Sequence, residues 1–169
     1  MTFATSNLLF LLFLFLHICA AIVAFGPTFA MPIIGAMGGA EPRFSNFSAR
    51  IMDALERRLI APLAIVVGLT GLGLIWTSGR DVLGEAWLLV AIVLYVIALT
   101  LAFTVSGPTG RRLVEATSTP PPPHDPSQPA PTGPPPHIAA LVKRAQAVGM
   151  ALAALLVAIL LLMVFKPRF

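Results

Sequence analysis

The chain has 169 residues, of which 57% are hydrophobic and 11% charged. Water-soluble domains carry about a quarter charged residues, so that class is excluded. Eleven Lys and Arg against seven Asp and Glu leave a net charge of +4, but the basic residues collect beside the ends of apolar runs and form no stripe that would bind nucleic acid.

Three stretches, 7–29, 86–106 and 145–165, hold no Asp, Glu, Lys or Arg. Each covers about the twenty residues needed to cross a ~30 Å hydrocarbon core. A fourth, 59–78, is as apolar, although it contains Pro62 and several glycines. The expected fold is therefore all-α: a polytopic membrane protein built as a four-transmembrane-helix bundle in a single membrane domain.

The first span lacks the basic flank of a secretory leader, since the first positive side chain is Arg43, and is read as part of the mature protein. Cys19 is the single cysteine, which excludes a disulfide framework and a paired-thiolate metal site. Pro27 and Pro32 remove backbone hydrogen bonds, so the helix is expected to kink or stop there. The sequence GAMGGAEP, with Gly35, Gly38 and Gly39, then reads as loop.

From residue 44 to 59 the apolar positions Phe47, Ile51, Leu55 and Leu59 recur every four residues, while Arg50, Asp53 and Arg57 fall on another face. The pattern describes an interfacial amphipathic helix before span two. A solvated extension of that span, held by the Asp53–Arg57 pair, reads the same positions equally well.

In lipid, helices associate through close approach at small residues. Span two offers Ala64 and Gly68; span four offers Ala147, Ala151, Ala154 and Ala158. These faces are expected to pack spans within the chain, with self-association as the alternative. Trp76, Trp87 and the charged residues Arg80, Asp81 and Glu85 suit a short hairpin at the opposite surface. The segment 117–136 holds ten of the sixteen prolines and is expected to form an extended cytoplasmic tether.

Arg50, Arg57 and Arg58 lie between spans one and two, and Arg111, Arg112, Lys143 and Arg144 between spans three and four. Positive loops stay inside, so these seven are expected at the cytoplasmic surface of the inner membrane, with both termini outside.

One residue invites chemistry. Counted from Asn7, His17 lies about 15 Å down its helix, near the middle of the bilayer. Ala20, Ala21 and Ala24 share its face. An ionisable side chain at this depth is costly and raises a functional hypothesis. Two readings stand: an axial ligand to haem iron, or a hydrogen bond to a hydroxyl such as Tyr95 or Thr100. No second histidine lies in any span, which excludes bis-histidine haem within one chain. The carboxylates Glu41, Asp53, Glu56, Asp81, Glu85, Glu115 and Asp125 all lie outside the span centres. No Walker loop, dinucleotide fingerprint, nucleophile elbow or zinc-binding cysteine pattern is present.

The order LHICAAIVAFGPTFAMP, ALERRLIAPLAIVVGLTGLGL, AWLLVAIVLYVIALTL and GPTGRRL resembles an uncharacterised family of bacterial four-span proteins, predicted integral membrane proteins of unknown function. The layout is also distantly similar to HemJ-type protoporphyrinogen oxidases and CopD-type copper-resistance proteins, with His17, the run Glu56-Arg57-Arg58-Leu59 and the pair Trp87-Leu88 in matching places. The HemJ-type resemblance implies haem ligation by His17. Ile33 and Ala91 stand where that pattern has basic residues, so oxidase activity is not implied.

The functional expectation is a structural or accessory component of a membrane assembly, without an evident catalytic site. Its partners would be the lipid bilayer and other membrane subunits or a second copy, and no nucleic acid. The alternative is a haem-binding or redox membrane protein using His17. Small-solute transport is a third reading, which a polar cavity between spans would favour.

Overall fold

A computed structural model of the chain describes residues 3–118 and 133–167. Among them are four helices long and apolar enough to cross a membrane, Asn7–Ala40, Ser45–Ser78, Ala86–Ser118 and Pro136–Phe165, and no strand. The all-α, four-span expectation holds. At 1.5 Å per residue, runs of 30 to 34 residues reach about 45–50 Å, so each helix continues well beyond a ~30 Å core.

The first long helix consists of α1 (Phe3–Phe25), a 3₁₀ turn at Gly26–Phe29 and α2 (Met31–Ala40). Pro27 opens the 3₁₀ turn and Pro32 sits in the first turn of α2, where a missing N–H costs little. The prolines therefore kink the helix without ending it. The loop expected across Gly35, Gly38 and Gly39 is corrected, because α2 runs through all three. Packing overrides propensity: a Cβ at Gly38 would fall 2.4 Å from Ser48 Oγ, so the bare backbone lets α2 approach the next helix.

A short turn at Pro42–Phe44 leads into α3 (Ser45–Leu55), which joins α4 (Ala61–Ser78) through a π-helical turn at Glu56–Ile60. The third long helix repeats the device: α5 (Ala86–Leu101), a π turn at Ala102–Ser106, and α6 (Gly107–Ser118). In each π turn an amide reaches back five residues, Ala61 to the Glu56 carbonyl and Gly107 to the Ala102 carbonyl. The next residue is a proline in both, Pro62 and Pro108. A proline cannot donate to the ordinary i−4 carbonyl and crowds it, and widening the preceding turn relieves the clash without breaking the helix.

The last long helix is α7 (Pro136–Phe165). The tether expected over 117–136 is bounded by α6, which ends at Ser118, and by the start of α7; its positions 119–132 lie outside the described residues.

Two layers result. In the membrane layer α1 packs on α4, and α5 on α7; in the second layer α3 packs on α2 and α6, and α6 on α7. The membrane seam is built from small side chains: Ala20 and Ala24 of α1, Ala64 of α4 and Ala91 of α5 are buried, with Ala24 at 0% exposure. Close backbone approach at such residues is what holds helices together in lipid. Large apolar side chains such as Leu12, Phe15, Ile22, Leu69 and Val93 point outward, as a lipid-facing surface requires.

One packing expectation is corrected. On α7, Ala147, Ala151 and Ala154 are exposed and Ala158 is half-buried, while Val148 and Leu156 fill the contact with the rest of the chain. Larger side chains reach the neighbouring helices there, and the alanine stripe is rotated away from the seam. At the hairpin end Trp76 is exposed, at 72%, while Trp87 is buried at 8%, with the Lys166 ammonium 5.9 Å from its ring.

Candidate functional site

The glycines of α4 form a row of seats for aromatic rings. A Cβ at Gly73 would fall 2.5 Å from the Phe13 ring, one at Gly71 would fall 3.3 Å from His17 Cε1, and one at Gly68 would fall 3.0 Å from the Tyr95 ring. Phe13 and His17 are one turn apart on α1, so the same spacing that stacks them on α1 lays them against the antiparallel glycine row of α4.

His17 is half-buried. Its Nδ1 lies 3.0 Å from the Val67 carbonyl oxygen and 3.1 Å from Thr70 Oγ1. A carbonyl only accepts, so Nδ1 carries the hydrogen and donates it; in the neutral ring the lone pair is then on Nε2. The Thr70 hydroxyl lies 2.7 Å from the Val66 carbonyl and donates there, which leaves its oxygen free to accept from His17. The expected partners Tyr95 and Thr100 are corrected. The Tyr95 hydroxyl donates to the Ala64 carbonyl, and Thr100 donates to Val96 of its own helix at 2.8 Å. Span two, not span three, holds the imidazole.

No group of three or more His, Cys, Asp or Glu side chains able to hold a metal occurs among the described residues. Cys19, two positions from His17, is half-buried, and His137 at the start of α7 is exposed. His124 lies outside the described residues.

A second polar cluster, between α3 and α6, has no counterpart in the sequence reading. Asn46 Nδ2 is 3.1 Å from each of the Val114 carbonyl, Thr117 Oγ1 and Ser118 Oγ. At the other end of the pair Glu56 hydrogen-bonds Ser106, joining the two π turns, and Asp53 lies alongside. Asp53 also faces Arg57 at 3.8 Å, and a Cβ at Gly110 would fall 3.7 Å from its Oδ1. The sequence signal that would have led here is the paired placement of Pro62 and Pro108, each separated from its π turn by one residue.

The seven basic residues assigned to the membrane surface, Arg50, Arg57, Arg58, Arg111, Arg112, Lys143 and Arg144, are all exposed. Four apolar helices, polar clusters confined to helix contacts and exposed cations at their margins describe an integral membrane protein. The family model for "Predicted integral membrane protein (DUF2269)" matches residues 11–167. The chain belongs to this family.

No curated protein and no solved structure matches the chain, so the HemJ-type and CopD-type resemblance brings no residue roles to this DUF2269 member. Within its fold the expected site residues separate. Ala64 is buried and Gly68 sits beneath Tyr95 at a helix contact, His17 is held by α4, and the alanine stripe of α7 faces outward. The His17 arrangement can cross-link α1 to α4 and can present one imidazole nitrogen. The α3–α6 cluster braces the second layer.

Proposed function

We propose that this chain is a structural or accessory component of a membrane assembly, seated in a bacterial inner membrane with both termini outside and the arginine-rich layer in the cytoplasm. The observation that carries the reading is the uncovered small-residue stripe of α7. Ala20, Ala24 and Ala64 are covered within the chain, whereas Ala147, Ala151 and Ala154 are not. A small-residue stripe admits close approach by another membrane helix. The orientation follows from the concentration of Arg and Lys at one end of the bundle.

The test is affinity purification of the full chain after mild solubilisation. Other membrane proteins are expected to co-purify in fixed ratio, and a doubly substituted Ala151→Leu/Ala154→Leu chain is expected to lose them by about tenfold, since added bulk prevents close approach. Recovery of the wild-type chain alone removes the reading.

A second reading, haem binding through His17, is favoured by the hydrogen bond from Nδ1 to the Val67 carbonyl. Metal-bound imidazoles are ordinarily anchored in this way through the nitrogen that does not ligate. His17 Nε2 would hold the iron, and the haem would supply electron-transfer or ligand-binding chemistry. A Soret band in protein from haem-replete cells, lost in His17→Ala, is the expected result. A colourless wild-type preparation sinks it.

A further inference from the structure

The third and fourth long helices run antiparallel in a register marked by Lys166, whose ammonium lies 5.9 Å from the Trp87 ring. Counted from that contact along α5 and α6, Arg111 lies about 36 Å away; counted along α7, Lys143 and Arg144 lie about 33–35 Å away. Arg111, Arg112, Lys143 and Arg144 therefore share one level to within a helical turn. The distance exceeds a ~30 Å hydrocarbon core by the depth of the headgroup region.

A second tier lies nearer the centre. The hydrogen bond between Glu56 and Ser106 sets Arg57 and Arg58 beside the π turn that ends at Ser106, about 8 Å deeper toward the membrane centre than Arg111. All six side chains are exposed. Among the described residues only Arg57 of the six has a carboxylate partner, Asp53 at 3.8 Å.

Aromatic side chains at this end are exposed as well, and Phe44 carries the Arg43 guanidinium 4.6 Å from its ring. Helix α3 buries Ser48 and Ala49, and leaves Phe47 exposed at 63%, with Phe44 just before it at 44%; Arg50 is exposed beside them. Aromatic rings next to cations at this depth match the boundary between acyl chains and phosphates.

We propose that this end of the molecule is a binding surface for anionic phospholipids, whose phosphates are held between the two tiers of cations. The occupant is a lipid because the tiers are stacked along the membrane normal. Arg57 and Arg58, at the edge of the hydrocarbon core, are within reach of a phosphate anchored by its own acyl chains, whereas a nucleic acid or acidic protein approaching from water meets only the outer tier. This surface is independent of the α7 stripe and of His17.

The full-length chain, purified in a neutral detergent, is titrated with phosphatidylglycerol and separately with phosphatidylcholine, following thermal unfolding and the lipid retained in native mass spectrometry. Phosphatidylglycerol is expected to raise the unfolding midpoint by several degrees and to be retained, and phosphatidylcholine to do neither. Retention is expected to fall by about tenfold or more in Arg111→Gln/Arg112→Gln/Lys143→Gln/Arg144→Gln, and to be unchanged in Arg80→Gln at the opposite surface. Equal stabilisation by the two lipids, which needs no variant to observe, overturns the proposal. So does full stabilisation by inorganic phosphate at matched ionic strength, or by a DNA oligonucleotide in 150 mM salt without lipid.

Discussion

At the residue scale the molecule is governed by what stands in for a side chain that is absent. Each glycine of α4 that faces another helix accepts a ring, and His17 lies in this row with its Nδ1 hydrogen on the Val67 carbonyl. That the imidazole falls inside an apolar span was legible from the sequence; its partner was not, because hydroxyls on two spans are candidates and only helix rotation chooses between them. Gly38 and Gly39 give the sharpest test of this logic. A Cβ at Gly38 meets Ser48 Oγ at 2.4 Å, whereas one at Gly39 meets nothing within 4 Å. Gly38→Ala is expected to destabilise by ~1–3 kcal/mol through overpacking. Its neighbour Gly39→Ala is expected to stabilise by ~0.5–1 kcal/mol through helix propensity. Thermal unfolding in one detergent compares them directly, and equal shifts would show that α2 does not approach α3 so closely.

At the element scale the amphipathic helix before span two was expected from the recurrence of Phe47, Ile51, Leu55 and Leu59, and α3 occupies that place. Its neighbours were not foreseen. The periodicity marks an apolar face, yet the buried positions are Ser48 and Ala49, because α2 and α6 press on the small side and the aromatic side is left to lipid. Pro27 and Pro32 were expected to kink or stop their helix, and they kink it. Pro62 and Pro108 follow π turns that keep their helices continuous, and Glu56 and Ser106 join those turns. Asn46 closes the far end of the α3–α6 pair through one amide nitrogen close to three acceptors. Asn46→Ala is expected to cost ~0.5–1.5 kcal/mol, because the hydrogen bonds that join α3 to α6 through that nitrogen are removed. An unchanged unfolding midpoint would remove the brace from the account.

At the scale of the whole molecule, helices of about 45–50 Å make a membrane layer and a second layer at the arginine-rich end. The layers are separable in kind. The α1–α4 pair meets at alanine and glycine, α7 meets its neighbours through Val148 and Leu156, and the α3–α6 pair is joined by side-chain hydrogen bonds. With four crossings, Arg50 and Arg112 are expected on one surface and Gly84 on the other. In a Cys19→Ser background, cysteines introduced at 50 and 112 are expected to react with an impermeant thiol reagent from one side of sealed vesicles, and a cysteine at 84 from the other. Labelling of 50 and 112 from opposite sides would refute the topology.

What the amino-acid sequence determined alone is the solvent. Hydropathy summed over some twenty residues is a local quantity, so the four crossings, the charged margins and the intramembrane histidine follow from it without any knowledge of contacts. The tertiary structure alone decided the rotation of each helix about its axis. Lipid is as apolar as leucine, so hydrophobicity does not say which face turns inward. Packing of Ala24, Gly38, Gly68 and Gly73 against specific neighbours settled that for the first three long helices, and Val148 and Leu156, not the alanine stripe, settled it for α7.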